Sequence, residues 1–219
     1  GMAVVFLEIG NEVILTGKLL QHAIDEAVKD AYVTLRKSVL DPVTRINKNT
    51  NTPAVVHTSI VEGKNVKIQI MLKGFGSENM SKVYFLNPAQ GLEEAKRLIV
   101  DTVAVAGSNP CPPVILGVGL GGTLEKASLM SKHALFRKIG SKNPTPHLDD
   151  LEKELLAKIN SLGIGAQGFG GKVSALGVFI ESYPTHISSL PVAINVLCHC
   201  SRASEIIIDG EKEGEICQI

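Results

Sequence analysis

A mixed α/β fold, α+β in character with some antiparallel pairing, follows from three features of the sequence. Apolar residues recur at helical spacing in three separate stretches, and a period-two apolar pattern marks strands among them. The two kinds of segment interleave without the strict alternation that an all-parallel sheet demands. With 219 residues, 44% of them hydrophobic, the chain can bury the core of a single domain or of two closely packed lobes.

Ala3 to Ile9, AVVFLEI, reads as a strand, and a buried strand so early in the chain raises the expectation of a segment upstream of it. From Lys18 to Lys37, the residues Leu20, Ile24, Ala27, Ala31 and Leu35 share one helical face and predict an amphipathic helix that carries Arg36 near its end. After the loop DPVTRINKNTNTP, the stretch AVVHTSIV and the alternation of Val66, Ile68, Ile70 and Leu72 with Lys67, Gln69 and Met71 predict two strands paired as a hairpin. K-G-F-G-S-E-N then interrupts the sheet. Gly91 to Ala106 is a helix entered through Asn87-Pro88 and stopped by Gly107; Leu148, Leu151, Leu155, Ile159 and Leu162 mark another that ends at Gly163. A glycine-dense loop, GIGAQGFGG, leads into the apolar segments VSALGVFIESY and PVAINVLC.

Basic and acidic residues number 22 each, and no Lys/Arg run alternates with aromatics, so the footprint of a nucleic-acid binder is missing. No apolar stretch is long enough to cross a bilayer and the N-terminus has no signal-peptide pattern, so the expectation is a cytoplasmic chain acting on small molecules, with no membrane partner. The four cysteines, at 111, 198, 200 and 217, are too few for a disulfide scaffold of this length.

Gly117, Gly119 and Gly122 spell G-x-G-x-x-G, but the sequence after the following helix is a polar loop rather than the second strand of a dinucleotide fold. The glycines are expected to form a tight strand-to-helix turn. The segment Gly165–Lys172 fails as a phosphate loop at Ala166 and Val173, leaving the general ability of glycine turns to bring N–H groups to an anion such as a dicarboxylate. Cys111, in N-P-C-P-P, reads as a small buried hydrophobe or as a thiolate held by a rigid loop. Cys198 and Cys200 on a strand would share a face, with His199 on the other, which speaks against zinc. His186, Arg36 and His57, each taken alone, read as a hydrogen-bonded, a solvated and a strand histidine or arginine.

Taken together and in order, N-T-N-T-P-A-V-V-H-T (49–58), K-G-F-G-S-E-N (73–79), N-P-C-P-P (109–113), G-V-G-L-G-G-T (117–123), G-A-Q-G-F-G-G-K (165–172), Y-P-T-H-I-S-S-L-P-V-A (183–193) and C-H-C-S-R (198–202) resemble the iron–sulfur-dependent class I fumarases. The likeness is greater still to the α subunit of the two-subunit fumarate hydratase and L-tartrate dehydratase group. The resemblance implies a hydro-lyase that reversibly hydrates fumarate to L-malate, or dehydrates L-tartrate, with a [4Fe–4S] cluster held by three cysteines. By motif position it makes Cys111 and Cys198 two of the ligands and leaves Cys200 unassigned. The third cysteine is expected upstream of residue 1, in a helical segment that this chain lacks, so that residues 1–219 form an α-subunit domain without an intact cluster of its own. The resemblance further implies that Arg36 pairs with a substrate carboxylate, that His186 lies near the substrate, and that the loops at Gly74 and Gly76 and at Gln167 and Gly168 offer backbone donors. A separate β subunit, dimeric assembly and inactivity of the isolated chain complete what it implies. Two readings compete: a non-catalytic partner-binding module, favoured if Cys111 and Cys198 prove solvent-facing and mutually distant, and nucleotide binding at Gly117–Gly122, which needs a parallel strand beside that turn.

Overall fold

The computed structural model describes residues 1–200 and 202–210, so Cys217 lies outside the described residues. Along the chain run β1 (Met2–Gly10), α1 (Leu20–Ala31), β2 (Val55–Val61), β3 (Val66–Lys73), α2 (Phe75–Glu78), β4 (Lys82–Leu86), α3 (Gly91–Ala106), β5 (Val114–Gly121), α4 (Leu124–His133), α5 (Pro146–Ser161), β6 (Ala175–Tyr183), β7 (Leu190–Leu197) and β8 (Ala203–Ile208). The mixed α/β class holds. Two compact units divide these elements, one of Gly1–Lys73 with the stretch that starts at Arg202, the other of Gly74–Ser201.

In the first unit a four-stranded sheet runs in the order β2-β1-β3-β8, with β2 parallel to β1 and the other neighbours antiparallel. The expected hairpin of β2 with β3 does not form, because β1 lies between them. Ala3, Val5, Leu7 and Ile9 of β1 are all buried, and a central position also satisfies the backbone groups on both edges of the strand. Ile24, Val28 and Tyr32 on and beside α1 pack on this face. An apolar cavity of about 660 Å³ remains beside the helix, lined by Ile24, Val28, Ile68, Ile70, Leu72 and Ile206 among others.

α1 stops at Ala31, well before Lys37. Val33 and Thr34 are β-branched and poor helix formers, and the Lys37 ammonium turns back onto the carbonyls of Tyr32, Val33 (3.0 Å) and Leu35 (2.9 Å). It thereby satisfies acceptors that a continuing helix would have bonded to its own N–H groups. Arg36 consequently sits in irregular backbone after the helix. The following D-P-V-T turn is closed by Asp41, whose Oδ1 accepts the N–H of Thr44 (2.7 Å) and of Val43 (3.0 Å) and the Thr44 hydroxyl (3.0 Å).

The second unit is layered helix, sheet, helix, with strand order β4-β7-β5-β6. β5 is parallel to β6, and antiparallel pairs join β5 to β7 and β7 to β4. Leu116 and Val118 of β5, Val178 and Ile180 of β6 and Ile194 and Val196 of β7 face α3 and α5, which contribute Ile99, Val103, Leu155 and Ile159. The opposite face of β5 carries Gly117 and Gly119. A side-chain carbon at Gly117 would lie 1.9 Å from the Ser131 carbonyl oxygen, and one at Gly119 would lie 2.0 Å from that of Ala127, so α4 packs its backbone directly on the strand. These two glycines are strand residues, and the turn is made by Gly121 (φ 85°) and Gly122 (φ 72°).

A parallel strand, β6, does lie beside that turn, but no dinucleotide cradle results. The approach to Gly121 is filled by the Tyr183 carbonyl and that to Gly122 by Lys126, while Glu181 near the end of β6 engages His133 at 2.7 Å. On the other side of the sheet, Glu152 is buried and bonded to Arg137 (2.5 and 3.2 Å), Asn143 (2.7 Å) and the Ile180 N–H (2.7 Å), which fixes α5 against β6.

Gly119→Ala should cost about 3 kcal/mol through forced separation of α4 from β5, read as a lower Tm; an unchanged Tm would contradict the close packing. The three donors to Asp41, the Thr44 N–H foremost, hold its carboxyl below the usual range. A depressed folded-state value means that the stabilisation is complete above the unfolded-state value and is lost as pH falls through the depressed one. Hydrogen-exchange protection factors at Val43 and Thr44 should therefore fall in that acid range, whereas constant factors would show a turn indifferent to the carboxylate.

Candidate functional site

The loop from Ser108 to Pro113 leaves α3 at Gly107 (φ 53°), whose N–H caps the Val103 carbonyl, and closes on itself through Cys111 N–H to the Ser108 carbonyl at 3.0 Å. Cys111 adopts φ 55° and is exposed. Its reading as a small buried hydrophobe is thereby corrected: flanking prolines and a left-handed backbone keep the thiol at the surface.

Three other segments converge on this loop. β7 runs antiparallel to β5 with Leu197 opposite Ile115, so Cys198, His199 and Cys200 emerge beside the start of β5. His199 bonds to the Cys111 carbonyl twice, through Nδ1 at 2.8 Å and through its N–H at 3.5 Å. Donation by the ring places the proton on Nδ1 and leaves Nε2 as its acceptor. Cys198 to Cys200 lie past the end of β7, so the strand alternation expected for them does not apply. Cys198 is part-exposed and Cys200 exposed, neither in a disulfide.

Gln167, at φ 54°, donates its N–H to the Pro112 carbonyl at 2.8 Å, with its carboxamide 3.4 Å from the same oxygen and from His199 Nδ1. Gly168 faces Ser108 so closely that a side-chain carbon would fall 2.5 Å from the serine Cβ. From the third side comes α2: a carbon added at Gly76 would sit 3.2 Å from the Asn109 carbonyl, and Asn109 Nδ2 lies 3.7 Å from Met80 Sδ. The structure thus brings together Gly76, Cys111, Gln167, Gly168 and Cys198. Gly74, the residue before α2, accepts the N–H of Glu78 and the Ser77 hydroxyl and has open space where a side chain would be.

Four backbone donors in the middle of the 165–171 loop are engaged within the protein. Gln167 N–H goes to Pro112, Gly168 N–H to Gly165, Phe169 N–H to Ala166 and Gly170 N–H to Ile164. The glycines fold the loop rather than hold those N–H groups open to an anion.

One expected site residue of this unit stands apart from the cluster. His186 belongs to the β6–β7 connection, at the end of β5 marked by Gly121, whereas Cys111 precedes the other end of that eight-residue strand, about 25 Å away at the usual rise. Its Nδ1 accepts the Ser188 N–H (3.2 Å) and the Ser188 hydroxyl (2.7 Å), so its proton is on Nε2. Arg36 belongs to the first unit, where its side chain is exposed and has no ion-pair partner among the described residues. His199 and Asn109 were not singled out from sequence as site residues, although both stand inside quoted motifs, C-H-C-S-R and N-P-C-P-P.

Among the described residues no three His, Cys, Asp or Glu side chains are grouped to hold a metal ion. The donor chemistry nevertheless suits a cluster edge: two thiols outside any disulfide, on adjoining loops cross-linked through His199, with solvent on one side. No helix among the described residues is long and apolar enough to cross a membrane.

The profile of the family described as Fumarate hydratase (Fumerase) matches residues 1–207. A chain of Methanocaldococcus jannaschii with the provisional name L(+)-tartrate dehydratase subunit alpha is 43% identical over 211 residues, covering 92% of this chain and 74% of its own length. L(+)-tartrate dehydratase subunit alpha of Escherichia coli (strain K12) is 31% identical over 217 residues, covering 96% of this chain and 71% of its own length; the protein of the same name from E. coli O157:H7 is 30% identical over the same span.

In a chain carrying Cys200→Ser and Cys217→Ser, a short bifunctional thiol reagent such as dibromobimane should bridge Cys111 to Cys198 and yield a fluorescent product, lost on Cys111→Ser. Two singly labelled thiols without a bridge would place the loops farther apart than the His199 bonds require.

Proposed function

The chain belongs to the fumarate hydratase family, and we propose that it is the α subunit of a cytoplasmic iron–sulfur hydro-lyase that interconverts fumarate and L-malate. The observation that carries this reading is the meeting of Cys111 and Cys198 on hydrogen-bonded loops with Gly76, Gln167 and Gly168 around them. A second reading, dehydration of L-tartrate, is favoured by the names of the relatives. The two substrates share their carboxylates and differ by one hydroxyl, which a site built to bond it would distinguish strongly.

Cys111 and Cys198 would supply two of the thiolates of a [4Fe–4S] cluster held by three cysteines. When bound, the cluster supplies a Lewis acid to the substrate hydroxyl, making hydroxide a tolerable leaving group. His199 holds the two thiol-bearing loops in register through the Cys111 carbonyl, and Gln167 does the same from the Pro112 carbonyl, so that both thiols are positioned before any ligand arrives. Arg36 offers the planar two-donor fork that matches a substrate carboxylate. Starting from L-malate, the C2–O bond breaks with loss of hydroxide and the C3–H bond with loss of a proton, which together make up the water released with fumarate; the group that first takes the C3 proton belongs to a β subunit. Within one chain His186 lies about 25 Å from Cys111, so it would come near the substrate from the other copy of a dimeric assembly of the complete enzyme.

The test is an anaerobic assay of the complete α subunit, co-expressed with its β subunit and reconstituted with iron and sulfide, offered fumarate and L-tartrate separately. Fumarate should be hydrated, with activity lost on Cys111→Ser and absent from the α chain alone. Turnover of tartrate only would establish the second reading, and no turnover of either with a fully loaded cluster would overturn both.

A further inference from the structure

The segment that carries Arg36 has no regular secondary structure, yet the Ser38 N–H and the carbonyls of Arg36, Lys37 and Val39 are all bonded. Asn51 is the centre of that network. Its side chain is 1% exposed, and one carboxamide takes two groups of the arginine segment at once: Oδ1 accepts the Ser38 N–H at 2.5 Å and Nδ2 donates to the Arg36 carbonyl at 2.8 Å. A neighbouring strand would make the same pair of bonds with its own backbone. Here a side chain 15 residues away replaces it. Asn47 Nδ2 holds the Lys37 carbonyl between them at 3.0 Å, and the Lys48 N–H holds that of Val39 at 2.9 Å.

The backbone of Asn51 itself lies at φ 61°, a left-handed conformation that asparagine tolerates better than most residues. The segment is therefore clamped at the carbonyl of Arg36 while the guanidinium projects exposed, without an ion-pair partner among the described residues. Burying a carboxamide and bonding both its oxygen and its nitrogen to the backbone under an unpartnered cation is organisation beyond what the loop needs merely to connect α1 to β2. Pre-organised donors lose less on binding an anion than mobile ones do.

We propose that Asn51 is a positioning residue for the reaction, fixing the Arg36 backbone so that the guanidinium meets a substrate carboxylate in one orientation. The proposal rests on the reading of Arg36 as a carboxylate partner given above. Asn51→Gly is the informative variant, since glycine keeps the left-handed backbone and removes only the clamp; Asn51→Asp retains the acceptor for Ser38 and loses the donor to Arg36.

In the reconstituted α/β enzyme, Asn51→Gly should raise KM for the dicarboxylate about tenfold and leave kcat within about threefold, with Asn51→Asp intermediate. Exchange of the Ser38 amide should accelerate in Asn51→Gly and stay slow in Asn51→Asp, a readout independent of turnover. The double variant with Arg36→Lys should be no worse than Arg36→Lys alone, because a clamp with nothing to aim has no further effect. An unchanged KM in Asn51→Gly, or additive losses in the double variant, would reduce Asn51 to a structural residue and overturn the proposal. A normal KM in Arg36→Lys would instead remove the premise about Arg36, and the proposal would fall with it. Absence of turnover in the wild-type enzyme would fail the functional reading before either variant is considered.

Discussion

The candidate site depends on the antiparallel register of β5 and β7, in which Ile115 stands opposite Leu197. Cys111 comes four residues before Ile115 and Cys198 one residue after Leu197, so this single pairing sets two thiols that are 87 positions apart in sequence on adjoining loops. A slip of one residue would turn every side chain of one strand to the other face and would place the bulk of Ile194 and Val196 against α4. Gly117 and Gly119 help to prevent that. The α4 backbone reaches β5 only where the strand has no side chain, and only one register and one face satisfy the requirement.

Loop chemistry then refines what the sheet brings near. The 108–113, 165–171 and 198–200 loops exchange bonds mostly through backbone carbonyls, with His199 and Gln167 as the donors, so their geometry depends little on the thiols themselves. Both thiols are left exposed or part-exposed and outside any disulfide, the condition in which cysteine is available as a ligand. His186, held by Ser188 at the far end of the same sheet, shows the converse: residues within twelve positions of Cys198 in sequence are separated by the whole length of β7.

Helices with punctuation were legible in the sequence. α3 ends at the Gly107 cap and α5 at Ser161, shortly before the left-handed Gly163, as the two glycines announce. α1 is shorter than its apolar spacing, which continues to Leu35, and nothing in that spacing reveals that the Lys37 ammonium takes the carbonyls beyond Ala31. The pairing of β2 escapes the sequence for a similar reason. Neighbours in sequence make the simplest hairpin, whereas β1 claims the centre by the burial of its whole inner face.

What the sequence by itself determined is local and chemical: where helices cap, where glycine allows a left-handed or close-packed backbone, and which thiols, arginine and histidine stand in a set of motifs specific enough to imply a family. Tertiary structure decided which of these meet. Strand register set Cys111 beside Cys198 and His186 away from both, and the α4 contact converted Gly117 and Gly119 from a supposed turn into a packing surface. The division has a physical origin. Caps and turns are governed by bonds within a few residues, while strand neighbours are chosen by burial of apolar faces from distant parts of the chain, a competition that no single segment contains.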